Sequence, residues 1–130
     1  MLLKRNSYIV LSACLLFAQA CRQKSVSVVD VNLTHEISPQ PPRVGPVAVT
    51  LKITRVSGTP VTGARIAIEG NMSHAGMTPV FADAKETADG SYRATLDLSM
   101  AGDWSVLVHA TLPDGRKMEY QFEINGVAPS

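Results

Sequence analysis

Tyr92-Arg93-Ala94-Thr95-Leu96-Asp97-Leu98-Ser99, followed by Met100-Ala101-Gly102-Asp103 and then Trp104-Ser105-Val106-Leu107-Val108-His109, is the stretch that decides the fold. Tyr92, Ala94, Leu96 and Leu98 alternate with Arg93, Thr95, Asp97 and Ser99. Trp104, Val106 and Val108 alternate with Ser105, Leu107 and His109. Successive side chains of a strand point to opposite faces, so period-two alternation marks a strand with one buried face and one wetter face. The Ala101-Gly102-Asp103 break between the runs supplies turn residues.

The same pattern continues in both directions. Met118, Tyr120, Phe122 and Ile124 alternate with Glu119, Gln121 and Glu123, and Pro113-Asp114-Gly115 before them is a hairpin signal. Upstream, Ile66 and Ile68 alternate with Ala67 and Glu69, and Val47, Val49, Leu51 and Ile53 with Ala48, Thr50, Lys52 and Thr54. An earlier alternating stretch begins at Val26 and contains Leu33-Thr34-His35-Glu36 as the first strand. Pro39-Gln40-Pro41-Pro42, Gly45-Pro46, Ser57-Gly58-Thr59-Pro60 and Asp89-Gly90 punctuate the runs. No segment holds a helical period. The expectation is an all-β domain over residues 28–126, an immunoglobulin-like two-sheet β-sandwich of about seven strands, with a tail over 127–130. Trp104, the single tryptophan, falls on an apolar face and is expected in the core.

The amino-terminal segment has a different character. Lys4 and Arg5 precede an uncharged stretch from Asn6 to Ala20 whose body is Tyr8, Ile9, Val10, Leu11, Leu15, Leu16 and Phe17. A charged start followed by a short apolar segment describes a secretory signal over residues 1–20. The stretch falls short of the ~20 apolar residues of a membrane span. Ala18-Gln19-Ala20-Cys21 resembles a bacterial lipobox, in which the cysteine is acylated and becomes the new amino terminus. Cys21 is therefore the expected lipid attachment, and residues 21–27 the tether. Leu11-Ser12-Ala13-Cys14 is a second lipobox-like sequence, but it would leave an apolar region below the ~7 residues such signals use. An ordinary secretory signal cleaved after Ala20 is the remaining reading. Both cysteines of the chain lie in this segment, so the domain itself carries no thiol and no disulfide.

Charge narrows the partner classes. Of the 12 Lys and Arg, Lys4 and Arg5 precede the cleavage point, leaving ten against 11 Asp and Glu. That balance has no basic stripe for nucleic acid and no charge block for anionic lipid. Lipid chains would hold the protein at a membrane, its domain facing the periplasm or the extracellular side.

Asn71-Met72-Ser73-His74-Ala75-Gly76-Met77-Thr78-Pro79 is the one segment with unusual chemistry. Thioether sulfur suits Cu(I), and imidazole suits Cu(I), Cu(II) or Zn(II). Met72, His74 and Met77 are thus the candidate metal ligands, with Gly76 permitting a tight bend. Three neutral donors leave the ion's charge uncompensated, which favours a monovalent ion. Met72 also continues the parity of Ile66 and Ile68, so an inward, core-filling role is equally written in the sequence. His35, His109, Met100 and Met118 are the remaining donors that a fold could bring to the loop. His35 and His109 are expected on the wet face of their strands.

Catalytic residues are not expected. The chain has no Gly-x-Ser-x-Gly elbow, no His-Glu-x-x-His helix and no phosphate-cradling glycine loop.

Four pieces taken in order resemble a known family: Pro42-Arg43-Val44-Gly45-Pro46, Gly58-Thr59-Pro60-Val61-Thr62-Gly63-Ala64-Arg65-Ile66, Met72 to Met77, and Asp89-Gly90-Ser91-Tyr92-Arg93-Ala94 with Met100-Ala101-Gly102-Asp103-Trp104. Together, across about Val29 to Ile124, they resemble the YtkA-like domain, related to the FixH-type proteins of cytochrome oxidase maturation. The resemblance implies an extracytoplasmic β-sandwich and copper handling through a loop of the Met-Pro-Gly-Met type rich in His. Met72 and Met77 match its methionines, with His74 between them. The Pro-Gly after the first Met and the His cluster after the second are missing here, and Thr78-Pro79-Val80 stands in the latter place. The expected function is binding or delivery of copper as Cu(I) by a membrane-anchored envelope lipoprotein, with an oxidase or copper-handling protein as partner. The other reading is a metal-free interaction module of the cell envelope.

Overall fold

The computed structural model describes residues 30–74 and 76–130; Cys21, its alternative Cys14, and the expected signal and tether lie outside the described residues. Seven strands follow one another: β1 (Val31–Ser38), β2 (Gly45–Arg55), β3 (Arg65–Met72), β4 (Val80–Ala88), β5 (Ser91–Leu98), β6 (Gly102–Thr111) and β7 (Lys117–Val127). The described residues contain no helix. Hydrogen bonding runs in the order β1-β2-β5-β4-β3-β6-β7, and each neighbouring pair is antiparallel.

β4 gives this continuous ladder its two layers. Its first half pairs with β3, from Val80 opposite Gly70 to Ala84 opposite Ile66. Its second half pairs with β5, from Lys85 opposite Arg93 to Ala88 opposite Ser91, with a register irregularity between Glu86 and Ala88. A strand that changes partners midway folds one sheet over the other. One layer is β1-β2-β5 and the other β3-β6-β7, with β4 shared between them.

Alternation decides what fills the space between. Val47, Val49, Leu51 and Ile53 of β2 are fully buried, as are Tyr92, Leu96 and Leu98 of β5 and Trp104, Val106 and Val108 of β6. Full burial of each aliphatic side chain contributes roughly 1.5–3 kcal/mol. Trp104 is in the core, where the sequence places it. Its indole lies over Gly70, an inward position on β3 where a Cβ would sit 3.0 Å from Val80 Cγ2 and 3.1 Å from Leu96 Cδ2. A strand glycine of this kind marks a close approach, here of the tryptophan and its neighbours. The buried Tyr92 hydroxyl donates to the Val61 carbonyl at 2.7 Å and accepts from the Ala64 N–H at 3.0 Å. This ties the β2–β3 connection to β5 and meets the rule that buried polar groups are paired.

The outer strands β1 and β7 approach each other and close the remaining side. Val44 N–H donates to the Ala128 carbonyl at 2.9 Å, and Ala128 N–H to the Pro42 carbonyl at 3.0 Å. β7 thus runs one residue past the expected domain limit, and the start of the expected tail is bonded into the fold. At the opposite end Arg116 makes a forked pair with Asp30, at 2.7 and 3.2 Å, and bonds Asp114 at 2.7 Å. The Arg116 guanidinium holds the Asp30 carboxyl below its usual range, and the Arg116 backbone N–H, donating to Asp114 Oδ1 at 3.0 Å, does the same for Asp114 with the guanidinium's help.

The registers define two ends. Asp30, the end of β2, the start of β3 and the β6–β7 hairpin share one, because Val31 pairs with Arg55 and Arg65 with Thr111, itself opposite Lys117. Met72, the start of β6, the end of β5 and the start of β2 share the other, because Met72 pairs with Trp104 and Gly45 with Leu98.

Candidate functional site

β3 carries Met72 as its last residue, opposite Trp104 of β6. The inward parity of Ile66, Ile68 and Gly70 continues into Met72, which is half-buried and packs on the core. Its methyl carbon reaches across to the β5–β6 turn, where a Cβ added to Gly102 would lie 3.0 Å from it. The chain then turns. The Met77 N–H donates to the His74 carbonyl at 3.4 Å, a long bond that puts both residues in one turn. Gly76 takes a φ of +82° in this turn, with open space where a side chain would be. His74 is exposed and Met77 half-buried. The loop therefore offers an exposed imidazole and a partly accessible thioether, next to a second thioether directed at the core.

Met100 adjoins the same end. Its carbonyl accepts the Trp104 Nε1–H at 2.9 Å, and its side chain is 47% exposed. Phe81, on the first half of β4 opposite Glu69, is 72% exposed. Sequence reasoning missed Phe81 because it did not identify β4.

The other donors lie elsewhere. Met118 pairs with Ala110, at the far end of the sandwich. His109 is on the outer face of β6, as expected of a wet-face residue, with Nδ1 3.2 Å from Glu119 Oε1 and Nε2 3.6 Å from Glu69 Oε2. It stands five residues along β6 from Trp104, about 16 Å at ~3.3 Å per residue. His35 departs from the wet-face expectation. It shares the inward parity of Leu33 and Ile37, is half-buried, and stacks on Phe122 at a centroid distance of 3.9 Å. Burial pushes its pKa below the ordinary histidine value. Among the described residues no group of three His, Cys, Asp or Glu side chains could hold a metal ion.

A family model described as YtkA-like matches residues 23–109. The chain belongs to the YtkA-like family. The match takes in β1 to β5, the Met loop and most of β6 of this YtkA-like domain. No curated protein matches the chain. Among solved structures, MtrC from Shewanella baltica OS185 is similar with a TM-score of 0.47 and 17% identity, over 77% of this chain and 22% of that one. The outer membrane decaheme cytochrome OmcA is similar with a TM-score of 0.47 and 12% identity, over 75% of this chain and 23% of that one. Murine CRIg is similar with a TM-score of 0.44 and 10% identity, over 76% of this chain and 98% of that one. The YtkA-like chain spans under a quarter of the length of the first two.

Proposed function

We propose that this YtkA-like chain is an exported, lipid-anchored protein of the cell envelope that binds Cu(I) through Met72, His74 and Met77 and passes it to an envelope partner. The observation that carries the proposal is the turn joining His74 to Met77 directly after Met72, at the end of a sandwich without cysteine. Two thioethers and one imidazole are soft neutral donors that suit a monovalent ion. His74 and Met77 meet the ion from the accessible side. Met72 supplies its sulfur from a half-buried position, and its unbranched side chain can rotate about three bonds. The protein holds and releases cargo in this reading and performs no catalysis. The lipobox-like Ala18-Gln19-Ala20-Cys21 supports the anchor.

The test is a Cu(I) competition titration of residues 22–130 against a chromogenic chelator under reducing conditions. A one-to-one complex of sub-micromolar or tighter affinity is expected, lost in Met72→Leu/Met77→Leu and weakened in His74→Ala. Unchanged affinity in the double variant would refute the assignment.

A second reading is favoured by the packing of Met72 on the core and the exposure of Phe81 and Met100 beside the loop. In it the same end is an adaptable apolar contact for a protein partner. Co-purification of an envelope complex from copper-depleted cells, lost in Phe81→Ser, would support that reading.

A further inference from the structure

We infer that Met100, on the turn between β5 and β6, is a fourth donor to the Cu(I) held by Met72, His74 and Met77, so that the ion ties the β3–β4 loop to the connection between the two layers. The inference rests on the copper reading of the loop and adds to it a ligand from a distant part of the chain.

Three contacts bring the turn to Met72. Met72 of β3 and Trp104 of β6 stand directly opposite each other with both side chains inward. Cross-strand neighbours of this kind have Cβ atoms about 4.5–5.5 Å apart. The indole runs from the core to the turn: its Cε3 lies 3.5 Å from the Cβ position of Gly70, and its Nε1–H donates to the Met100 carbonyl at 2.9 Å. The Met72 methyl carbon lies 3.0 Å from the Cβ position of Gly102, two residues after Met100. Gly102 has a φ of +125°, a conformation suited to glycine, and its missing side chain lets the thioether lie against the turn. The backbone of Met100 is thus fixed beside Met72, while its own side chain, 47% exposed, can rotate about three bonds.

The distribution of sulfur points the same way. Met72, Met77 and Met100 gather at this end of the sandwich, and Met118 stands at the other, opposite Ala110. Packing on the core accounts for Met72. It does not account for Met100, whose side chain is largely in solvent.

The chemistry has a place for it. Cu(I), like Zn(II), is a closed-shell d10 ion, and a closed site for such an ion is usually tetrahedral. Met72, His74 and Met77 leave one position open. A thioether suits Cu(I) better than the oxygen of water. The nearby carboxylates are turned elsewhere. Asp103, at the start of β6, accepts the Gly126 N–H at 2.8 Å; Glu69 accepts from Asn71 Nδ2 at 3.1 Å; Asp97 is on the outer face of β5. With Met100 as the fourth donor the set stays neutral, and the preference for a monovalent ion is kept.

The test uses the full chain, purified in detergent under reducing conditions with any free thiol alkylated. It is compared with Met100→Leu and, from the far end of the sandwich, Met118→Leu. X-ray absorption of the Cu(I) complex should show three sulfur scatterers and one nitrogen in the wild type, and two sulfurs in Met100→Leu. Competition with a chromogenic chelator should show Cu(I) affinity lowered tenfold or more in Met100→Leu. The metal-free variant should melt with the wild type, because the side chain it changes is exposed. Met118→Leu should match the wild type in affinity and in sulfur count. Two sulfurs in the wild-type complex, or an affinity unchanged by Met100→Leu, would overturn the fourth donor and leave the loop site standing. Wild-type protein that takes up no Cu(I) would overturn the loop site and the fourth donor with it.

Discussion

His35 of β1 and Tyr120 of β7 share a hydrogen bond of 2.9 Å across the seam where the sandwich closes, and the imidazole lies on the ring of Phe122. The arrangement suits a neutral imidazole, since burial disfavours its charged form and lowers its pKa. In the unfolded chain His35 binds its proton at the ordinary value of about 6.5. The unfolded state therefore takes up the proton first as pH falls, and stability drops with it. The contribution is complete above about pH 6.5 and is lost as pH falls through the lowered native value. His35→Phe keeps a ring against Phe122 and removes the titration. Urea midpoints measured between about pH 5 and 7.5 should fall more steeply on acidification in the wild type than in His35→Phe. Parallel curves would rule this out.

Tyr92 makes a sharper prediction about stability. Tyr92→Phe leaves the core filled but strips the Val61 carbonyl and the Ala64 N–H of their partner. An unpaired polar group in such a place costs about 1–3 kcal/mol. Chemical denaturation should show a lower midpoint with an unchanged slope. A loss below the error of the measurement would mean that water replaces the hydroxyl.

Two glycines separate backbone strain from crowding. Gly90 and Gly115 both have positive φ, +71° and +86°, so a side chain is strained at either. At Gly115 the space is open, and Gly115→Ala should cost about 1–2 kcal/mol. At Gly90 a Cβ would stand 2.8 Å from the Ile53 carbonyl oxygen and 2.8 Å from Pro60 Cβ, so Gly90→Ala should cost clearly more. Equal thermal shifts in the two variants would show that β5 and the β2–β3 connection part freely.

Met72 can be probed without breaking the fold. A volume-conserving Met72→Leu should cost less than about 1.5 kcal/mol. Met72→Ala opens a gap against Gly102 and the core and should cost more. Thermal unfolding of the three proteins checks the order. If Met72→Leu unfolds as readily as Met72→Ala, the thioether has a packing role that leucine cannot fill.

The strands that carry most of the core were legible because large apolar side chains alternate with polar ones along β2, β5, β6 and β7. β4 was not legible, for a definite reason. Its inward residues Val80, Ala82 and Ala84 are mostly small and only half-buried, while the outward Phe81 is large and apolar. The contrast that marks a face is reversed at its start. The polarity of His35 suggests the wet face, whereas its position in the alternation with Leu33 and Ile37 points inward. The same parity turns Met72 inward, where it packs on the core. Met100 could not be placed beside the loop from sequence, because their proximity depends on β3 pairing with β6, a choice of partner that local pattern does not encode.

The strand shared between layers also governs how the protein comes apart. β4 is bonded to β3 along one half and to β5 along the other, so neither layer can peel away without breaking the ladder of its neighbour. A sandwich joined only by loops can open one sheet while the other persists. Here the central amides of β5 and β6, on opposite sides of the fold, should exchange with deuterium at rates set by one global opening. A destabilising substitution in either layer should then shorten their protection together, as one cooperative unit.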